Sequence, residues 1–252
     1  MLYFLYDNTF EGLLTAVFEA FNRKEFPDRI VSQNIQLPLF TDAFQVISDT
    51  EKSERVLSGL KKKISRSALN MLFTCYFSER TDIEILIFRY IRKAFASPVS
   101  IEMNFADDDV LALSKIFKKV QRETERIKQF VRFQKTSDGM FFALVEPLYN
   151  VLPLCSSFFE DRYADQLWIL YDSKRNYGLY YDLKKTEVIH FEHFDLTLKA
   201  GQLSVEQMDE YEAAFQKLWK DYLAAVTIQE RKNLRLQRQF MPKRFWKYLI
   251  EI

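Results

Sequence analysis

Glycine is scarce in this chain of 252 residues, which holds 5, and cysteine and histidine number 2 each. So few glycines exclude a Gly-rich cradle for phosphates or dinucleotides, and neither fingerprint of that kind is present. Cys75 ("LFTCYF") and Cys155 ("LPLCSSFF") stand alone in apolar surroundings. They read as buried, reduced thiols, and two separated cysteines hold neither a zinc nor an iron–sulphur site. His190 and His193 differ in strand parity and point to opposite faces. Neither a cofactor nor a metal is therefore expected. No apolar run reaches the roughly 18 to 20 residues that cross a bilayer, and "MLYFLYDNTFEG" lacks a basic leader and a small-residue cleavage site. A soluble, cytoplasmic protein without a membrane partner is expected.

The chain is rich in Phe, with 24, and 48% of it is hydrophobic. That supplies a sizeable core at a net charge of only +1. "LYFLY" (2–6) reads as an aromatic strand, followed by cap residues Asp7, Asn8 and Thr9 and a helix carrying Phe10, Leu13, Leu14, Val17, Phe18 and Phe21 at helical spacing. Pro27 and Pro38 bracket an irregular link. "AFQVIS" is a second strand, and Ser48 with Glu51 forms a capping box for a helix through Val56, Leu57, Leu60 and Ile64. Two more helices follow, the second capped by Thr81 or Asp82. A long helix then starts at Asp107–Asp109, where acids suit the positive helix end.

From residue 131 the period changes to that of strands: "VRFQK", "MFFALVE", "LWILYDS", "YGLYYD" and "TEVIHFEHF". Ser137-Asp138-Gly139 marks a turn, and a helix is inserted at "NVLPLCSSFFEDRYAD". A last helix over 204–224, with a capping box from Ser204 to Gln207, is expected to lie on the sheet through Val205, Met208, Tyr211, Phe215, Leu218 and Tyr222. The expected fold is α+β: an antiparallel sheet of about five strands, several packed helices and a basic C-terminal helical tail. It forms one domain over 1–252, helix-rich to about 130 and sheet with C-terminal helices beyond.

The tail is the clearest functional signal. Arg231, Lys232, Arg235, Arg238, Lys243, Arg244 and Lys247 occur with no acid between Glu230 and Glu251, interleaved with Phe240, Phe245, Trp246 and Tyr248. Cations with flat rings suit a phosphate backbone and its bases. A charge run is often only a solvated surface, but such a helix normally mixes signs at four-residue spacing. Lys115, Lys119, Arg122 and Arg126 form a stripe on the long helix, and Lys61, Lys62, Lys63 and Arg66 a further cluster. Each of these matters only if it shares a face with the tail. Acid–base candidates are Glu146, Asp172 and Asp182. Asp172 and Asp182 flank a hairpin where they could be neighbours, although turn-forming aspartates are the commoner outcome.

"RETERIKQFVRF", "FFALVEPLYNVLPLCSSFFEDRYADQLWILYDSKRNYGLYYD" and "LWKDYLAAVTIQERKNLRLQRQFMPKRFWKYL", with "YDNTFEGLLTAVFEAF" at the N-terminus, resemble an uncharacterised bacterial family described as DNA-metabolism or DNA-repair proteins. The resemblance covers essentially the whole chain. It implies association with nucleic-acid repair, because such proteins occur beside a radical-SAM protein of DNA modification or repair, or fused to uracil-DNA-glycosylase-like domains. The matching motif positions are Arg122, Arg126, Arg132, Glu146, Asn150, Arg162, Gln166, Asp172, Asp182, Arg231, Arg238, Pro242, Trp246 and Lys247. Relatives often carry His near the places of Tyr149 and Phe158, which this chain does not.

The expectation is thus a DNA-binding accessory to a repair or base-modification enzyme. Arg231, Arg235, Arg238, Lys243, Arg244 and Lys247, joined by Arg122 and Arg126, would contact phosphate, while Phe245 and Trp246 would pack or stack. One alternative is a nucleic-acid hydrolase using Glu146, Asp172 or Asp182. Another is an interaction scaffold without DNA contact.

Overall fold

A computed structural model of the chain describes residues 1–191, 198–199, 202–203 and 207–249. The chain forms two compact units, Met1–Gln121 and Arg122–Ile252.

In the first unit, β1 (Leu2–Tyr6) is the centre of a parallel three-stranded sheet, between β2 (Arg29–Ser32) and β3 (Asp42–Gln45). Of these, β2 falls within the stretch read as an irregular link. It is four residues long and buries only Ile30, too short for a period to register. The helix α1 (Phe10–Arg23) starts at Thr9, whose side chain accepts from the Gly12 N–H, and stops at Lys24 in the left-handed region. Asp7 braces this cap through the Thr9 amide and hydroxyl and accepts from the Ser48 hydroxyl at 2.7 Å. Ser48 is therefore occupied. The N-cap of α2 (Thr50–Lys63) is Asp49, not Ser48, accepting from the Lys52 N–H at 3.0 Å.

The helix α3 (Arg66–Tyr76) follows from an N-cap at Ser65, and α4 (Ile83–Ala96) from Asp82, whose carboxylate binds Arg80 rather than a helix amide. The long α5 (Asp108–Phe130) opens under Asp107, which accepts from the Asp109 and Val110 N–H groups. Arg89 and Lys93 of α4 meet Asp107 and Asp109 there. The first core gathers Phe4, Leu13, Leu60, Leu72, Ile87 and Leu113, and Cys75 is buried in it as a free thiol pushed up to about 12 by desolvation.

The second unit is built on a five-stranded sheet in the order β4 (Gln134–Lys135), β5 (Phe141–Val145), β6 (Trp168–Asp172), β7 (Tyr177–Tyr181), β8 (Thr186–Ile189). The α+β class and the strand number agree with the sequence reading. Orientation is mixed: β5 and β6 are parallel and the other pairs antiparallel. The cause is α6 (Leu152–Arg162), which carries the chain back across the sheet between β5 and β6 as a parallel crossover requires. Gly139, at φ +85°, closes the β4–β5 turn. Trp168 is fully buried against Phe133, Phe159 and Tyr181, and Cys155 lies nearby as a second buried free thiol pushed up to about 12.

A short hairpin, β9 (Leu198–Lys199) with β10 (Gln202–Leu203), precedes α7 (Glu212–Val226). The expected cap at Ser204, together with Val205 and His193, lies outside the described residues. Met208 packs on Phe142 and Tyr171, but Phe215, Leu218 and Tyr222 of α7 are exposed. The expected docking of that face on the sheet is therefore corrected: the helix is held at its start, where Glu212 accepts from the Lys135 N–H, and its apolar face is bare. The chain then runs through a 3-10 turn at Gln229–Arg231, α8 (Leu234–Phe240) and a 3-10 helix at Lys243–Tyr248 that follows Pro242. No helix among the described residues is long and apolar enough to cross a membrane.

The first-unit cap depends on an absent side chain. A Cβ at Gly12 would meet Asp7 Oδ1 at 2.1 Å and Ser48 Oγ at 2.7 Å. Gly12→Ala should therefore cost about 1–3 kcal/mol by overpacking, read as a lower urea midpoint. An unchanged midpoint would refute this role for Gly12.

Candidate nucleic-acid interface

The site starts from one acid that the sequence reading passed over. Glu123 falls three residues after Val120 and four before Ile127, on the buried stripe of α5, and its side chain is 2% exposed. A charge at a core position needs partners. Glu123 accepts from the Leu148 N–H at 2.9 Å and forms a two-pronged pair with Arg244, at 2.5 Å through Nη1. A glutamate in the register of an apolar stripe was the available signal.

This pair divides the basic tail into a held part and a free part. Arg244 is bound to Glu123, and Lys247 to Glu146 at 2.5 Å. Phe245 is 3% exposed, packed on Phe130 with ring centroids 5.4 Å apart. Trp246 is half-buried and donates Nε1–H to the Met241 carbonyl at 3.1 Å. Phe245, expected to pack or stack, packs; Arg244 is engaged by a buried acid, and Lys247 is paired at a half-exposed position. Upstream, Arg231, Lys232, Arg235, Arg238 and Lys243 are exposed and make no ion pair among the described residues.

The stripe on α5 does meet the tail. Arg122 and Arg126 line one groove, of about 360 Å³, with Gln129, Gln239 and Phe240. Arg126 is held below the ordinary guanidinium value by burial and by the like charge of Arg244, while Glu123 opposes the shift. Three guanidinium groups around one buried carboxylate leave a local positive excess. A second groove, of about 560 Å³, is lined by Arg231, Lys232, Asn233, Gln237 and again Phe240. Lys115 and Lys119 lie on the same helix but in the first unit.

The acid–base candidates do not form a pair. Asp172 is fully buried and closes the β6–β7 turn, accepting from the Lys174 and Arg175 amides and from Arg175 Nη1 at 2.7 Å. Burial pushes its carboxyl up, against the lowering pull of Arg175. Asp182 caps the next turn through the Lys184 and Lys185 amides, which hold its carboxyl low. The two sit at opposite ends of β7, about 17 Å apart at strand rise, so the idea of facing neighbours is corrected.

Glu146, next after Val145, does lie at the same sheet end as Asp172. There the 146–150 loop is clamped: Arg175 donates to the Pro147 and Leu148 carbonyls, Lys174 to Leu148, and the Tyr177 hydroxyl to Asn150. Of the other motif positions, Arg132 lies over Trp219, Arg162 over Tyr163, Gln166 bonds through its N–H to the Tyr163 carbonyl, and Pro242 starts the last 3-10 helix. No group of three or more His, Cys, Asp and Glu among the described residues is placed to hold a metal ion.

The ion pairs predict how the tail detaches. Removing Arg244 strands the Glu123 charge, so Arg244→Met should cost about 3 kcal/mol, measurable by urea unfolding. The Lys247 ammonium holds the Glu146 carboxyl below its ordinary value. A depressed folded value means that the contribution is complete above the ordinary carboxylate range and is lost as pH falls through the folded value. Trp246 emission should report release on that acid side, and Glu146→Gln should abolish this step. An acid transition identical in wild type and Glu146→Gln would contradict the assignment.

No curated protein and no solved structure matches the chain. A family model described as a domain of unknown function, DUF4130, matches residues 81–251, which is more than half of the chain and includes every residue of the interface described above. The chain therefore belongs to the DUF4130 family.

Proposed function

We propose that this protein binds nucleic acid through the free part of its tail, as a DNA-binding accessory in DNA repair or base modification acting in the cytoplasm. One observation carries the reading. Arg231, Lys232, Arg235, Arg238 and Lys243 are exposed without an ion-pair partner among the described residues, and the neighbouring groove adds Arg122 and Arg126. Cations left unpaired in a nearly neutral chain are a local attraction for a polyanion. The resemblance to DNA-metabolism proteins gives the context, and a radical-SAM or uracil-DNA-glycosylase-like partner would supply the chemistry. Hydrolysis by this chain is less well supported, since Asp172 and Asp182 are engaged in turns and Glu146 in the Lys247 pair.

A second reading, a protein-interaction scaffold, rests on the exposed residues of α7, where Phe215, Leu218 and Tyr222 recur at three- and four-residue steps. The two separate in one experiment. If about five cations engage duplex phosphates, affinity should fall by roughly two to three decades between 50 and 200 mM salt. Arg235→Ala with Arg238→Ala should flatten the log–log salt slope by about 2. Phe215→Lys with Leu218→Lys should leave the slope intact. Binding that ignores salt, or no binding to DNA, would overturn the proposal in favour of the scaffold.

A further inference from the structure

We infer that the ligand of the free tail is an unpaired nucleic-acid strand, with Phe240 as the ring on which a base stacks. This rests on the nucleic-acid reading above and narrows it to a substrate class. The starting point is the position of Phe240, which closes α8 and lines both cationic grooves. Phe240 is 66% exposed, whereas Phe245, five residues on, is buried against Phe130. An exposed phenyl ring gains nothing from water. One flanked by cations is placed for a ligand that offers an aromatic face and phosphates together.

The two grooves differ in a way that suits a strand passing the ring. On one side stand Arg231 and Lys232; on the other, Arg122 and Arg126. Both sides also offer side-chain amides, Gln237 in the first and Gln129 and Gln239 in the second, which can donate to and accept from base edges. The one acid there, Glu125, is engaged by Lys128 at 3.1 Å. In a duplex the bases are stacked on one another, and a protruding ring reaches a base face only by unstacking a step, at a cost of roughly a few kcal/mol. In a single strand each base has a free face, and stacking on an aromatic side chain is tolerant of sequence. An acidic peptide would satisfy the cations but would leave the ring and the amides without planar partners.

The test uses the full chain and fluorescein-labelled oligonucleotides of one sequence, single-stranded and as the duplex, followed by anisotropy across a salt series. Phe240→Ala should weaken single-strand binding by about 5- to 100-fold, the range for loss of one aromatic–base stack, while duplex affinity and the salt slope stay within about twofold. Phe240→Tyr should restore the single-strand affinity. Because the ring is exposed, thermal unfolding of both variants should match wild type. Equal losses on both forms of DNA, or none on the single strand while Arg235→Ala with Arg238→Ala still flattens the slope, would overturn the stacking role and leave the wider reading standing. Absence of salt-dependent binding to either form would remove both. Competition by a polyglutamate peptide that also needs Phe240 would point instead to an acidic protein partner.

Discussion

Burial of a single carboxylate sets the arrangement of the second unit. Glu123 is carried inward by the period of α5, and a buried charge without partners would cost several kcal/mol. Its two partners come from distant parts of the sequence, the Leu148 amide from the loop after β5 and the Arg244 guanidinium from the tail. Helix, sheet end and C-terminal segment thereby meet at one point. Phe245 follows Arg244 into the interior, and Lys247 reaches Glu146 at the rim of the same loop. What resembles a uniform basic tail in the sequence is thus an anchor at 244–249 and an exposed segment upstream of it.

That division also explains why the 146–150 loop is clamped by polar groups. The carbonyls of Pro147 and Leu148 have no strand partner once β5 has ended, and Arg175 and Lys174 supply the missing donors. Asp172 in turn fixes Arg175 from below. Each group serves to hold a loop whose amide is needed by Glu123. The cost of the buried charge is spread over a network, and the network leaves the sheet carboxylates already engaged.

Much of the fold was legible because local signals were consistent. The β1 strand, the Thr9 cap, the α6 insertion and the Gly139 turn were all readable from residue type and period. The errors fall where one residue had two possible uses. Ser48 has the chemistry of an N-cap, but Asp7, 41 positions earlier, takes its hydroxyl, and Asp49 caps instead. The α7 stripe has the spacing of a buried face, and spacing cannot say that Phe215, Leu218 and Tyr222 stay exposed. For the site, positive charge was visible and its partners were not. Arg244 and Arg238 look alike in sequence, and only the fold brings Glu123, 121 positions from Arg244, to one of them.

The same long-range pairing gives the interface its electrostatic character. Had each tail cation met an acid, the segment would be neutral and any attraction for a polyanion would vanish with it. Instead two acids, Glu123 and Glu146, pair with the tail, and among the described residues its upstream cations make no ion pair. The Arg126 guanidinium is lowered first by burial, and the like charges of Arg244 and Arg122 add to that. Anchoring and exposure are therefore divided within one segment: Arg244 and Lys247 are paired with acids, and the cations upstream of them are exposed.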